Sequence, residues 1–335
     1  MEELAGARRR VKVNKLRILP KKIIIINHMK KLKFTPNRFT FLFLLLSCSS
    51  LIKAQNINQK LYVSITDVTP SVKTFFNDND IKSVYTFNVV GENYSAVNQQ
   101  KLTADIQKRY PNVSDTGIAA LDWEGKMIGL LVNARPGSSD FNDALNSYIN
   151  ILKMAKALRP NVKWGYYAVP FSRFYNRNKL GSDLSRIEPL LRECDVFFPS
   201  FYENYKDGTS ERDDNERFVN ENLNLILPVA QRMNKPVLPF VWYRYHVSNR
   251  SIGLQLIPTD EFEKYLNAIL SVNYRGKKVS GVVCWSVDSY YFKKKSQPLL
   301  NEMSASRSQD FDTYHDALVK KYTTRMLNLV QKKNQ

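Results

Sequence analysis

Gly117-Ile118-Ala119-Ala120-Leu121-Asp122-Trp123-Glu124-Gly125 is the stretch on which the fold turns. Its first five residues are apolar or Gly with no in-and-out alternation, the pattern of a parallel strand covered by helices on both faces. A helical pattern from Ser139 to Leu158 follows it, opened by the capping-type sequence Ser138-Ser139-Asp140. The same alternation recurs along the chain. Apolar runs at Val84 to Val90, Val162 to Tyr167, Val196 to Phe198, Val237 to Val241 and Val279 to Trp285 are interleaved with helical patterns. Those patterns lie at Asp183 to Arg192, Asp214 to Met233, Thr259 to Val272 and Gln309 to Gln331. A doubly wound sheet and a barrel both fit such a series. No Gly-rich phosphate loop follows the first run, and roughly six to eight repeats in about 250 to 280 residues is the size of a (β/α) barrel. The expected fold is α/β, a TIM-like (β/α) barrel, distorted, with fewer than eight regular strands and Val84 to Val90 as its opening strand.

The 335 residues, 43% hydrophobic and 24% charged, exclude disordered, collagenous and coiled-coil classes. The net charge of +19 resembles a nucleic-acid signal, but thirteen of the fifty basic residues and only two of the thirty-one acids precede Gln55. From Met29 the chain reads as a basic start, a short apolar run from Phe39 to Leu46 and a small-residue segment ending near Ala54. That run falls below the ~18 residues a membrane span needs, so a cleaved leader and an exported, extracellular or periplasmic protein are expected, with no stable membrane span. An alternative makes Cys48 a lipid-bearing residue. Residues 1–28 then read as a non-native extension from an early start codon, 29–54 as the signal peptide and 55–335 as a single catalytic barrel domain. With the basic extension removed, nucleic acid is not an expected partner. Cys194 and Cys284 read as buried small apolar groups, and the scattered His28, His246 and His315 lack metal-ligand spacing. The chain therefore calls for no cofactor and no metal.

In a barrel the chemistry sits at the C-terminal ends of the strands. Asp122 and Glu124 close an apolar strand two residues apart, so both project the same way into the mouth. Mutual repulsion and desolvation around Trp123 raise carboxyl pKa values, leaving one proton on the pair near neutrality. A carboxylic acid beside a carboxylate suits glycosidic cleavage. Four further strand ends turn aromatic: Trp164 to Pro170, Phe198 to Tyr202, Pro239 to Tyr243 and Cys284 to Ser286. Aromatic rings stack on pyranose faces while phenols donate to hydroxyls and amides. The expected substrate-binding residues are Tyr167, Tyr202, Trp285 and Tyr243, with Arg173, Arg177 and Arg244 attracting a polyanion.

With these residues in view, the sequence resembles the animal and bee-venom type of hyaluronidase. The motifs, in order, are Asp122-Trp123-Glu124, Trp164-Gly165-Tyr166-Tyr167 running to Pro170, Pro199-Ser200-Phe201-Tyr202 and Gly281 to Trp285. The resemblance implies Glu124 as general acid/base and Asp122 as the residue that positions the substrate N-acetyl group. It also implies that Tyr167 and Tyr202 bind the acetamide and that Trp285 packs on its methyl. The implied activity is retaining, substrate-assisted cleavage of an N-acetylhexosamine-containing, glycosaminoglycan-like polysaccharide such as hyaluronan or chondroitin. Two features depart from the family pattern: Gly125-Lys126 follows the acid pair where Arg-Pro is expected, and Ser172 stands where a disulfide cysteine is expected. Two alternatives follow, a carbohydrate-binding barrel without turnover and an N-acetylhexosaminidase for another glycan.

Overall fold

Apolar runs too short for helices pair edge to edge at the centre of the molecule. The computed structural model describes residues 58–90, 97–172, 184–206, 212–308 and 310–335. Residues 1–54, with the extension, the leader and Cys48, lie outside the described residues, as do Arg173 and Arg177. The elements in chain order are β1 (Lys60–Ile65), α1 (Pro70–Asp78), β2 (Lys82–Asn88), α2 (Gln99–Arg109), β3 (Gly117–Asp122), α3 (Lys126–Asn133), α4 (Ser139–Leu158) and β4 (Val162–Tyr166). A 3-10 turn, Leu184–Ile187, leads into α5 (Glu188–Glu193), followed by α6 (Arg212–Arg232), β5 (Phe240–Val241), α7 (Thr259–Ser271) and β6 (Gly281–Ser286). Three helices close the chain: α8 (Asp288–Lys293), α9 (Gln297–Ala305) and α10 (Phe311–Lys333).

All ladders are parallel, in the order β4-β3-β2-β1-β6-β5. Isolated parallel bridges Tyr167↔Phe198, Phe197↔Val237 and Ser200↔Phe240 carry the sheet across the gap between β4 and β5. The result is a distorted TIM-like barrel with fewer than eight regular strands. Two expectations need correction. The opening strand is β1, which precedes the Val84 run and pairs with both β2 and β6. The runs at Val196 to Phe198 and Val237 to Val241 form little ladder, because Pro199, Pro236 and Pro239 bring carbonyls but no N–H donors. Phe197 N–H bonds to Pro236 O at 3.0 Å and Phe240 N–H to Pro199 O at 2.9 Å, bonds in which the prolines can only accept.

The strands are packed on both sides. Ala119, Ala120, Leu121, Val282, Val283 and Cys284 are fully enclosed, and each large apolar side chain so removed from water contributes roughly 1.5 to 3 kcal/mol before entropy. Cys194 and Cys284 are free thiols inside this core. Gly165 of β4 sits where a Cβ would meet Val196 O at 2.2 Å, so the bare backbone lets the bridging segment approach. Gly281 starts β6 at φ +146°, with Lys60 O 1.9 Å from its missing Cβ.

Candidate active site

Alternation at the end of β3 sets the site. Asp122 is the last strand residue, paired in register with Asn88 of β2, and its carbonyl accepts Val89 N–H at 2.9 Å. The next residue, Trp123, turns the other way: it is buried on α4, stacked on Tyr148 at 4.6 Å with its carbonyl accepting the Tyr148 hydroxyl. Glu124, two residues on from Asp122, carries an open side chain at the rim. Burial, and then the charge of Glu124, push the Asp122 carboxyl up to about 7. Surrounding protein also raises Glu124 by desolvation, although its tip reaches solvent. Oδ1 of Asp122 is buried and meets no donor among the described residues.

The end of β4 runs alongside. Tyr167 N–H donates to Leu121 O at 2.9 Å, which fixes Tyr167 beside the acid pair, and its hydroxyl lies 3.1 Å from Ser200 Oγ. Tyr167 and Tyr202 have ring centroids 6.1 Å apart. Both phenols are raised chiefly by burial, with the charges of Asp122 and Glu124 adding to it. Trp285, near the end of β6, stacks on Tyr202 at 5.4 Å. The structure thus brings together Asp122, Glu124, Tyr167, Tyr202 and Trp285.

Tyr243 is a correction. Phe240 in β5 and Trp242 just past it share one face, and the odd residues take the other. Phe240 meets Tyr167 at 5.3 Å and Trp242 meets Trp285 at 4.9 Å, whereas Tyr243 stacks on Tyr322 of α10 and donates to Ser286 Oγ at 2.7 Å. Arg244 is a second correction. It is fully enclosed and bound to Asp288 at 2.8 Å and Glu302 at 2.7 Å, so it offers no charge to a polyanion. Ser172 donates to the Ser200 carbonyl, a contact that ties the two strand-end segments together.

Sequence reasoning missed Trp242, whose Nε1 is buried without a described partner, and His246, which stacks on Tyr202 at 5.7 Å. The period-two continuation of β5 signals the first, and nothing in the spacing signals the second. Among the described residues no three His, Cys, Asp or Glu side chains gather as a metal site, and no helix is long and apolar enough to cross a membrane.

No protein-family model matches the chain. A hyaluronidase of Apis mellifera is 30% identical over 105 residues, 28% of this chain and 27% of that relative's own length. Two crystal structures of bee venom hyaluronidase superpose on it. One, in complex with a hyaluronic acid tetramer, has a TM-score of 0.50 at 16% identity, covering 73% of this chain and 96% of that one. The other, a monoclinic form, has a TM-score of 0.52 at 15% identity, covering 83% and 100%. The chain has a hyaluronidase-like fold. Within the hyaluronidase-like barrel, the acid pair and the ring cluster occupy neighbouring strand ends, where barrels carry their chemistry.

Proposed function

We propose that this chain is a secreted glycoside hydrolase cleaving N-acetylhexosamine-containing polysaccharide, hyaluronan or a chondroitin-like polymer, by retaining, substrate-assisted hydrolysis. The observation that carries the reading is the acid pair at the end of β3, with Asp122 Oδ1 buried and lacking a donor beside a wall of Tyr167, Tyr202 and Trp285. An acceptor desolvated in that way is suited to a donor brought by the ligand, and an acetamide N–H is such a donor.

Glu124, protonated, gives its proton to the glycosidic oxygen as the C1–O bond breaks. The acetamide carbonyl oxygen attacks C1 from the opposite face, forming an oxazolinium whose N–H donates to Asp122. Tyr167 and Tyr202, whose phenols stay protonated, donate hydrogen bonds that hold the acetamide in line. Water then adds to C1, Glu124 takes its proton, and the acetamide reforms with retained configuration.

Glu124→Gln keeps the shape and removes the proton donor. Reducing-end release from hyaluronan by residues 55–335 is expected to fall at least about a hundredfold while oligosaccharide binding persists. Undiminished release by the variant would remove Glu124 from the role.

A further inference from the structure

Three buried rings form a column behind the acid pair. Trp123 lies on Tyr148 of α4 at 4.6 Å and 9°, and Tyr148 meets Tyr166 of β4 at 4.6 Å and 47°. Hydroxyls fasten the column at both joints. Tyr166 donates to the Tyr148 carbonyl at 2.8 Å, and Tyr148 donates to the Trp123 carbonyl. The ladder of β3 ends at Asp122, so the backbone of Trp123 and Glu124 continues without a strand partner. Among the described residues, the Tyr148 hydroxyl makes the only hydrogen bond to the backbone of those two residues. The carbonyl it holds belongs to the planar peptide unit that carries the Glu124 N–H, so the bond fixes the direction in which Glu124 leaves the strand. Desolvation is what raises the Glu124 carboxyl, and no described side chain bonds to it. Its aim is therefore set by the backbone beneath it.

We infer that Tyr148 is the positioning residue for Glu124, holding the acid in line with the glycosidic oxygen without touching substrate. The inference rests on the glycosidase reading and adds to it the group that orients the proton donor. Tyr148 is 1% exposed, so its influence on a bound sugar passes through Trp123 and Glu124. Burial, with the charges of Asp122 and Glu124 adding to it, keeps the phenol protonated and hence a donor. At its other end the column reaches Tyr166, whose neighbour Tyr167 is fixed to Leu121 O. Helix α4 thereby sets the acid and the acetamide-binding tyrosine against one another, and proton transfer is sensitive to small errors in that setting.

Steady-state release of reducing ends from hyaluronan tests the role. Tyr148→Phe keeps the ring between Trp123 and Tyr166 and deletes the hydroxyl. Tyr322→Phe is the comparison for lost stability: it deletes another buried hydroxyl, donated to Ile257 O, from a ring packed on Tyr243 and Phe262. Both variants are expected to lower the melting temperature by similar amounts. Only Tyr148→Phe is expected to lower kcat, about tenfold, with KM within about twofold of the parent. Added to Glu124→Gln, Tyr148→Phe is expected to leave the residual rate unchanged, since it acts through the group already removed. An unchanged kcat in Tyr148→Phe, an equal kcat loss in Tyr322→Phe, or a further loss in the Glu124→Gln protein would each overturn the inference while leaving the glycosidase reading in place. Absence of release by the unmutated protein would overturn both.

Discussion

Burial and the neighbouring charge of Glu124 hold the Asp122 carboxyl at about 7, against about 3.9 for an unfolded Asp. A carboxyl raised in the fold binds its proton more tightly there than in the unfolded chain. The penalty is fully present above about pH 7 and fades as the pH falls towards 4. Its ceiling is roughly 4 kcal/mol, the size of the shift converted to free energy. Asp122→Asn is therefore expected to raise the unfolding free energy by a few kcal/mol at pH 8, with no gain at pH 4, measured by urea titration at both. An equal effect at the two pH values would show that ionisation is not the source. On the glycosidase reading the same pair governs turnover, because the active form carries one proton shared between two carboxyls. The value of kcat/KM is expected to fall as pH drops through about 7, where Asp122 takes up a proton and no longer accepts the oxazolinium N–H, and to fall again on the basic side, where Glu124, raised by desolvation, loses the proton it donates. A flat profile between pH 5 and 8 would contradict that assignment.

At the scale of elements, the contact between β4 and the segment from Val196 to Ser200 decides where Tyr167 and Ser200 meet. Gly165 permits it, since a Cβ there would stand 2.2 Å from Val196 O and 3.0 Å from the Phe198 ring. Neither a carbonyl in a bridge nor a ring in the core yields easily. Gly165→Ala is expected to cost about 3 kcal/mol or more and to lower activity with it, read by thermal unfolding and reducing-end assay. A melting temperature unchanged from the parent would mean the segment can move. The Gly in Trp164-Gly165-Tyr166-Tyr167 was legible as part of a motif, although its reason lies in a strand distant in sequence. Five of the six strands, β2 to β6, were legible as apolar and aromatic runs, although β5 keeps only the last two residues of its run. The first strand was not, since Tyr62 and Ser64 interrupt the apolar residues, and Ser64 Oγ lies 2.9 Å from Thr86 Oγ1 on β2. Helix α1 announces itself by Thr69-Pro70 and α2 by Asn98, which accepts Lys101 N–H at 3.0 Å, local signals that an apolar-run search passes over. Of the site, Asp122, Glu124, Tyr167, Tyr202 and Trp285 were legible at strand ends. Tyr243 was misread for want of the alternation that turns Trp242 inward in its place.

Across the whole molecule, the C-terminal rim is tied together by one buried cation. Arg244, just past β5, meets Asp288 at the start of α8, Glu302 of α9, Leu254 O in the loop that follows it at 2.8 Å and Tyr314 of α10 at 3.4 Å. Tyr314 in turn donates to Glu302 at 2.8 Å, and Ser286 Oγ donates to Asp288 at 3.0 Å beside Trp285. These contacts hold three helices to the ends of β5 and β6, directly behind the ring wall. Taking such charges out of water is unfavourable in itself, so the pair contributes less to net stability than its short distances imply. Removing one partner is a different matter, because the other stays enclosed and uncompensated. Arg244→Met is expected to destabilise by about 3 to 5 kcal/mol, whereas Arg244→Met with Asp288→Leu should recover much of that loss. Urea unfolding of the two singles and the double gives the coupling directly. Losses that simply add would mean the two residues do not act as a pair. Recovery of stability without recovery of hyaluronan turnover would show that the ion pair keeps the rim in register for Trp285 and Tyr202 beyond holding it folded.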